Sequence, residues 1–166
     1  MTYPLGSFPR FGQSESYGWI DVDVAKQFLA DPVRVGLHHC TGINDDAAEV
    51  LSTYESQLPD LNGLTELSDA SAESLSRHRS NLALNGLTEL SDAAAESLSK
   101  HRGDLVLNGL TKLSDAAAES LSKHQDDLHL NDLIEISDDA AESLANKKGP
   151  INEQDPEDWV AWWKIQ

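Results

Sequence analysis

Leu105-Val106-Leu107-Asn108-Gly109-Leu110-Thr111-Lys112-Leu113-Ser114-Asp115-Ala116-Ala117-Ala118-Glu119-Ser120-Leu121-Ser122-Lys123-His124 decides how this chain folds. The same phrase starts at Leu82 and returns in looser form at Leu128. A period of 23 residues marks one supersecondary unit stacked on copies of itself, and such a repeat governs every other reading. The phrase has two halves. Leu105, Leu107, Leu110 and Leu113 are a spaced apolar series whose opening alternation suits a short strand. Asn108-Gly109 reads as a turn pair, Gly tolerating a positive φ. Ser114 then offers its hydroxyl to the free amides of a new helix, and Asp115 suits the positive end of the helix dipole. Ala117, Ala118 and Leu121 share one helical face, while Glu119 and Lys123 form an i,i+4 pair on another. His124 is expected in the last turn, at the carbonyl end. Each unit should therefore be a short strand, a turn and a helix of about three turns.

Working outward, the chain divides as a single domain, 1–166. Residues 1–34 form an N-terminal segment and cap helix, 35–150 five repeats, and 151–166 a Trp-rich C-terminal cap helix. Residues 1–18 read as irregular chain, with Tyr3, Phe8, Phe11 and Tyr17 packed over one end. Trp19 to Ala30 reads as a helix stopped by Asp31-Pro32, the helical half of a repeat without its strand half. A truncated unit of that kind closes the open end of a solenoid. Leu37 opens the first full unit, which carries one extra residue near Pro59-Asp60. Asn44, Ser68, Ser91, Ser114 and Ser137 are the N-caps. The unchanging rows Ala48, Ala72, Ala95, Ala118, Ala141 and Leu51, Leu75, Leu98, Leu121, Leu144 are assigned to the core. Asp155-Pro156 starts a last short helix bearing Trp159, Trp162 and Trp163.

Composition narrows the function. With 29 Asp+Glu against 12 Lys+Arg and a net charge of −17, nucleic acid and anionic membranes are poor partners, since both need a basic surface. One Cys excludes an internal disulfide and fits a reducing compartment. No run approaches membrane-spanning length and Met1 to Gly12 lacks a signal-peptide core, so a soluble, cytoplasmic protein is expected.

The series Leu-x-Leu-x-x-Leu-x-x-Leu followed by a helix resembles the leucine-rich repeats. Asn-Gly-Leu-Thr-x-Leu-Ser-Asp-Ala-Ala-Ala-Glu-Ser-Leu looks more closely like the short repeats of bacterial members. The resemblance covers about residues 35–148. It implies an α/β solenoid, with short parallel β-strands on one face, helices on the other, and a binding surface on the strand side. One departure concerns the family's buried asparagine ladder. The usual Asn position is Leu110 here, and Asn62, Asn85, Asn108 and Asn131 come directly after the second strand Leu instead.

Four groups of residues invite chemistry. His78, His101 and His124 recur at the repeat period, and capping of helix ends beside Arg77, Lys100 and Lys123 explains them better than a metal row. His38-His39-Cys40 is the one His/Cys cluster, but Cys40 holds the core position of Leu64, Leu87 and Leu110. The rows Asp69, Asp92, Asp115, Asp138 and Glu73, Glu96, Glu119, Glu142 read as helix capping and ion pairs rather than calcium ligands. Pro59, Ala83, Val106 and His129 form an outward strand row, flanked by Asn81, Asp104, Asp127 and the Asn row. No catalytic residue, cofactor or metal ligand is assigned. The expected function is non-catalytic protein binding, as adaptor or complex subunit. A monomer is expected to meet a partner with a basic rim through Asn85, Asp104, Val106, Asn108, Asp127, His129 and Asn131, and through Trp159, Trp162 and Trp163. Neutralisation of a basic toxin or nuclease is the alternative. An enzyme using His38, His39 and Cys40 stands third.

Overall fold

The computed structural model describes residues 18–56 and 60–165. Its helices are α1 (Val22–Ala30), α2 (Asp45–Ser52), α3 (Asp69–Ser76), α4 (Asp92–Leu98), α5 (Asp115–Leu121), α6 (Asp138–Ala145) and α7 (Pro156–Trp163). Five strands of two residues each alternate with them: β1 (Trp19–Ile20), β2 (Gly42–Ile43), β3 (Leu82–Ala83), β4 (Leu105–Val106) and β5 (Leu128–His129). All pairings between strands are parallel, in one sheet of order β1-β2 and another of order β3-β4-β5. Leu82, Leu105 and Leu128 lie in register, so the period of the sequence is the register of the sheet. Each helix packs on the next in chain order. The protein is thus an α/β chain of tandem units.

The two invariant rows are fully buried. Ala48, Ala72, Ala95, Ala118 and Ala141 sit under the helices, and Leu51, Leu75, Leu98, Leu121 and Leu144 lie beside them. A second small-residue row, Ala47, Ser71, Ala94, Ala117 and Ala140, is equally buried. Each buried Leu stabilises the fold by about 1.5–3 kcal/mol through removal from water. With only two-residue strands, packing carries more of the fold than sheet hydrogen bonding.

Two polar ladders tie unit to unit. In the first, the Oγ of Ser68, Ser91, Ser114 and Ser137 accepts the amide three residues on, each at 3.0 Å. The same hydroxyls donate to Asp45, Asp69, Asp92 and Asp115 of the preceding unit. Each serine therefore caps its own helix and anchors it to its neighbour, a role for the Asp row beyond helix capping. The Ser68 and Ser71 hydroxyls hold the Asp45 carboxyl below the usual carboxylate range. Asn44, which precedes the first full helix, makes no side-chain cap bond. The second ladder is built by asparagine. Asn62 Oδ1 accepts the Asn85 amide at 3.0 Å, Asn85 Oδ1 the Asn108 amide at 3.0 Å, and Asn108 Oδ1 the Asn131 amide at 3.1 Å. This ladder lies two residues before the buried row Leu64, Leu87 and Leu110. The Glu row carries the expected ion pairs, Glu73–Arg77, Glu96–Lys100 and Glu119–Lys123, all exposed.

Several expectations are corrected. The helices of the central units span two turns rather than three, α5 being seven residues long. Trp19–Ile20 is a strand paired with Gly42–Ile43, at the positions of Lys112–Leu113 just before the helix cap, and the helix starts only at Val22 behind Asp21. The glycines of the Asn-Gly pairs do not serve a positive φ, which among described glycines occurs at Gly103 alone. They serve close approach. A Cβ on Gly86 would lie 2.5 Å from the Asn62 carbonyl oxygen, and one on Gly109 2.0 Å from that of Asn85, so adjacent units touch backbone to backbone there. The aromatic anchors before Gly18, and the extra residue near Pro59, fall outside the described residues. Among those residues no helix is long and apolar enough to cross a membrane.

Candidate functional site

The chain ends its repetition in a groove. After α6, Pro150 accepts the Leu128 amide, and Asn152 returns its own amide to the Leu128 carbonyl at 3.0 Å. Asn152 and Glu153 take positive φ (50° and 63°), reversing the chain so that Ile151 and Gln154 bridge antiparallel. The turn is pinned to the last unit: Asn152 Oδ1 accepts the Leu130 amide at 2.8 Å, and Asp127 accepts the Glu153 amide at 3.1 Å. Asp155 caps α7 by accepting the Glu157 amide, with Pro156 in the first turn. Helix α7 then lies on α6. Trp159 and Val160 are buried over the last unit, and Trp163 is half-buried against the same core.

Trp162 faces outward, 54% exposed, beside Ile134 at 76%. Leu133, Ile134, Trp162 and Trp163 form the apolar wall of a groove of about 740 Å³, with Asn131, Asn152 and Gln154 as polar groups and Lys164 at its lip. Stretches 127–135 and 151–165 around it hold seven carboxylates and one Lys, Lys164. Of the ten residues assigned to partner binding, Asn131, Trp159, Trp162 and Trp163 come together here. Ile134, Asn152, Gln154 and Lys164 were missed. Ile134 carried a legible signal, because its position is Thr65, Thr88 and Thr111 in the other units.

The strand-side residues lie elsewhere and are differently engaged. Ala83, Val106 and His129 are neighbours across β3, β4 and β5, all half-buried. Pro59 is outside the described residues, and the 23-residue offset from Ala83 leads to Asp60 instead. Asn85 and Asn108 form the rungs of the ladder. Asp104 accepts from the Asn81 amide group at 2.9 Å, and the Asp127 side chain, 12% exposed, lies 3.6 Å from His129 Nε2. Much of the polar chemistry expected to face a partner holds units together.

The histidines at the repeat period do not cap their own helices, which is a correction; His101 Nδ1 instead faces the carbonyl of Ser76, the last residue of α3, at 3.3 Å, and His78 Nε2 the Tyr54 carbonyl just past α2. His78, His101 and His124 are buried beyond the C-termini of α3, α4 and α5. Cys40 is fully buried in its core position, and desolvation pushes its thiol pKa up, the direction opposite to activation. His38 and His39 are exposed, their rings 3.8 Å apart. Among the described residues no three His, Cys, Asp or Glu side chains cluster as a metal site would require. No family model, curated protein or solved structure shows a significant match to this chain.

Proposed function

We propose that this protein binds a protein partner through the C-terminal groove, taking an apolar side chain flanked by Lys or Arg. The observation that carries the reading is the half-exposed Trp162 set against exposed Ile134 at the C-terminal end, where the repeat pattern gives way to the Trp helix. Exposed Trp is costly to leave in water and is enriched at binding hot spots. The surrounding carboxylates favour a basic rim on the partner, acting mainly on association rate. In this reading the units form a leucine-rich-repeat-like solenoid, supported by the stacked helices, the in-register strands and the asparagine ladder. Trp159 and Val160 close its end while Trp162 serves the partner. An adaptor or subunit working in the cytoplasm fits the single, buried Cys40 and the net charge of −17.

Random linear peptides displayed on phage and selected on the whole chain test this. Selected peptides should carry Trp, Leu or Phe beside Lys or Arg. Trp162→Ala should weaken them by at least about 30-fold, a hot-spot loss of about 2 kcal/mol. Ile134→Thr, which restores the residue of the inner units, should weaken them less. Peptides that ignore both changes but are lost with Val106→Arg would move the site to the strand row. If instead binding vanishes with moderate salt whatever the apolar residues, capture of a basic toxin or nuclease by charge becomes the better reading.

A further inference from the structure

Tyr54, His78, His101, His124 and Lys147 hold one position in five successive units. From His78 to Lys147 all are buried, an unusual place for four titratable groups. His78, His101 and Lys147 each turn a side-chain nitrogen to a backbone carbonyl of the unit before, while the Tyr54 ring lies edge-on to Phe28. His78 Nε2 meets the Tyr54 carbonyl at 2.7 Å while its Nδ1 accepts the Ser80 amide at 3.1 Å. His101 Nε2 meets the Ser80 carbonyl at 2.8 Å and its Nδ1 the Ser76 carbonyl at 3.3 Å, two contacts that oppose the effect of burial on this ring, and Lys147 Nζ donates to the Asp126 carbonyl at 2.7 Å. By the same offset His124 should meet the Gly103 carbonyl, but neither ring nitrogen has a partner within hydrogen-bond distance, and the backbone facing the ring is that of Ser99. Gly103 is where the backbone departs: it takes φ +114°, while Ser80 and Asp126 at the equivalent positions do not take positive φ. His124 instead lies against His101, the rings stacked at 6.4 Å and 12°.

We propose that the His101–His124 stack is an acid-sensitive latch between the units: a proton on either ring places like charge in a buried column that already ends in the Lys147 ammonium, and the third to fifth units loosen while the first stay packed. The charged and titratable groups facing the two rings are His78, Lys147 and Asp126, and Lys147 itself faces Asp127 and Asp126. Asp126 would favour protonation, but it is exposed and its charge is screened by water, whereas Lys147 and the rings face one another inside the fold. Burial is the main cause holding both imidazoles below their ordinary pKa, with Lys147 next for His124. The Lys147 ammonium, pushed down to about 8, is still charged at neutral pH. A folded-state pKa below the unfolded value means that the unfolded chain binds more protons, so stability is kept above about pH 6.5 and lost as pH falls through the folded value. Nothing in this inference depends on what the groove binds.

Hydrogen-exchange protection of the whole chain, compared at about pH 7.5 and about pH 5, tests it. Protection across 99–145 should fall at least about tenfold more than across 22–51, equivalent to one pKa unit of difference. His124→Phe should remove most of that excess, because the ring is kept and the charge is not. Lys147→Met, which removes the standing charge, should move the loosening to lower pH and serves as the second variant if His124→Phe does not fold. An equal loss over both regions would overturn the latch, since general protonation of the many carboxylates acts everywhere. So would an excess unchanged in the variants.

Discussion

The third and fourth units, 82–104 and 105–127, differ from the fifth, 128–150, at a few positions that matter physically. Where the inner units have Gly86 and Gly109 pressed on the backbone of the unit before, the fifth has Asp132, whose amide instead donates to the Asn108 carbonyl at 3.1 Å. Thr88 and Thr111 become exposed Ile134, and His101 and His124 become Lys147. Inner units are built to be covered on both sides, so small, polar and hydrogen-bonding residues suffice at their edges. The last unit has one neighbour of a different kind, the Trp helix, and the apolar surface left between them is the groove. The lesson is that in a repeating chain the exceptions to the repeat carry more information about function than the repeat does.

Substitutions can break that comparison at either end. The largest effect is expected at Leu98, fully buried in the third unit: Leu98→Ala should cost about 2–5 kcal/mol by lost packing and a cavity. Trp162→Ala should stay within about 0.5 kcal/mol in the same urea titration, despite its larger side chain. Comparable losses at the two positions would mean that Trp162 is structural and the groove is merely a crease. Asn85→Ala removes a ladder acceptor and strands the half-buried Asn108 amide, with an expected cost of about 1–3 kcal/mol. Asn131→Ala at the exposed end of the ladder should cost clearly less, because no further amide is bonded to its Oδ1 among the described residues. Ser114→Ala should cost about 1 kcal/mol through loss of the Ala117 cap, and Asn44→Ala no more than a few tenths, since Asn44 makes no such bond. Thermal melts of the two variants side by side would read that difference.

Much of this was legible in the sequence, and the limits have physical causes. Serine caps and the Ala and Leu rows are local features of helices, and local features repeat with the sequence. The histidines were misread because Lys-His after a helix looks like a solvated C-terminus. Only the stacking of units shows that His101 and His124 point inward and Arg77, Lys100 and Lys123 outward. The Asn-Gly glycines were misread for a similar reason: a turn explains them within one unit, whereas the contact that requires them lies between units. Trp19 was assigned to a helix because two residues of strand are too short to show alternation. The groove needed a residue from the fifth unit beside one from α7, and no period links Ile134 to Trp162. Even so, the substitution of Ile134 into a row of threonines was visible, and it pointed to the right end.

Backbone amide chemical shifts of the whole chain, followed during titration with a peptide selected on it, test the central claim most directly. The account predicts saturable shifts concentrated at Asn131, Leu133, Ile134 and Trp159 to Lys164, absent in Trp162→Ala while that variant keeps its fold. Shifts running instead along Ala83, Val106 and His129, or along the exposed helix row Ala70, Ala93 and Ala116, and persisting in Trp162→Ala, would contradict it.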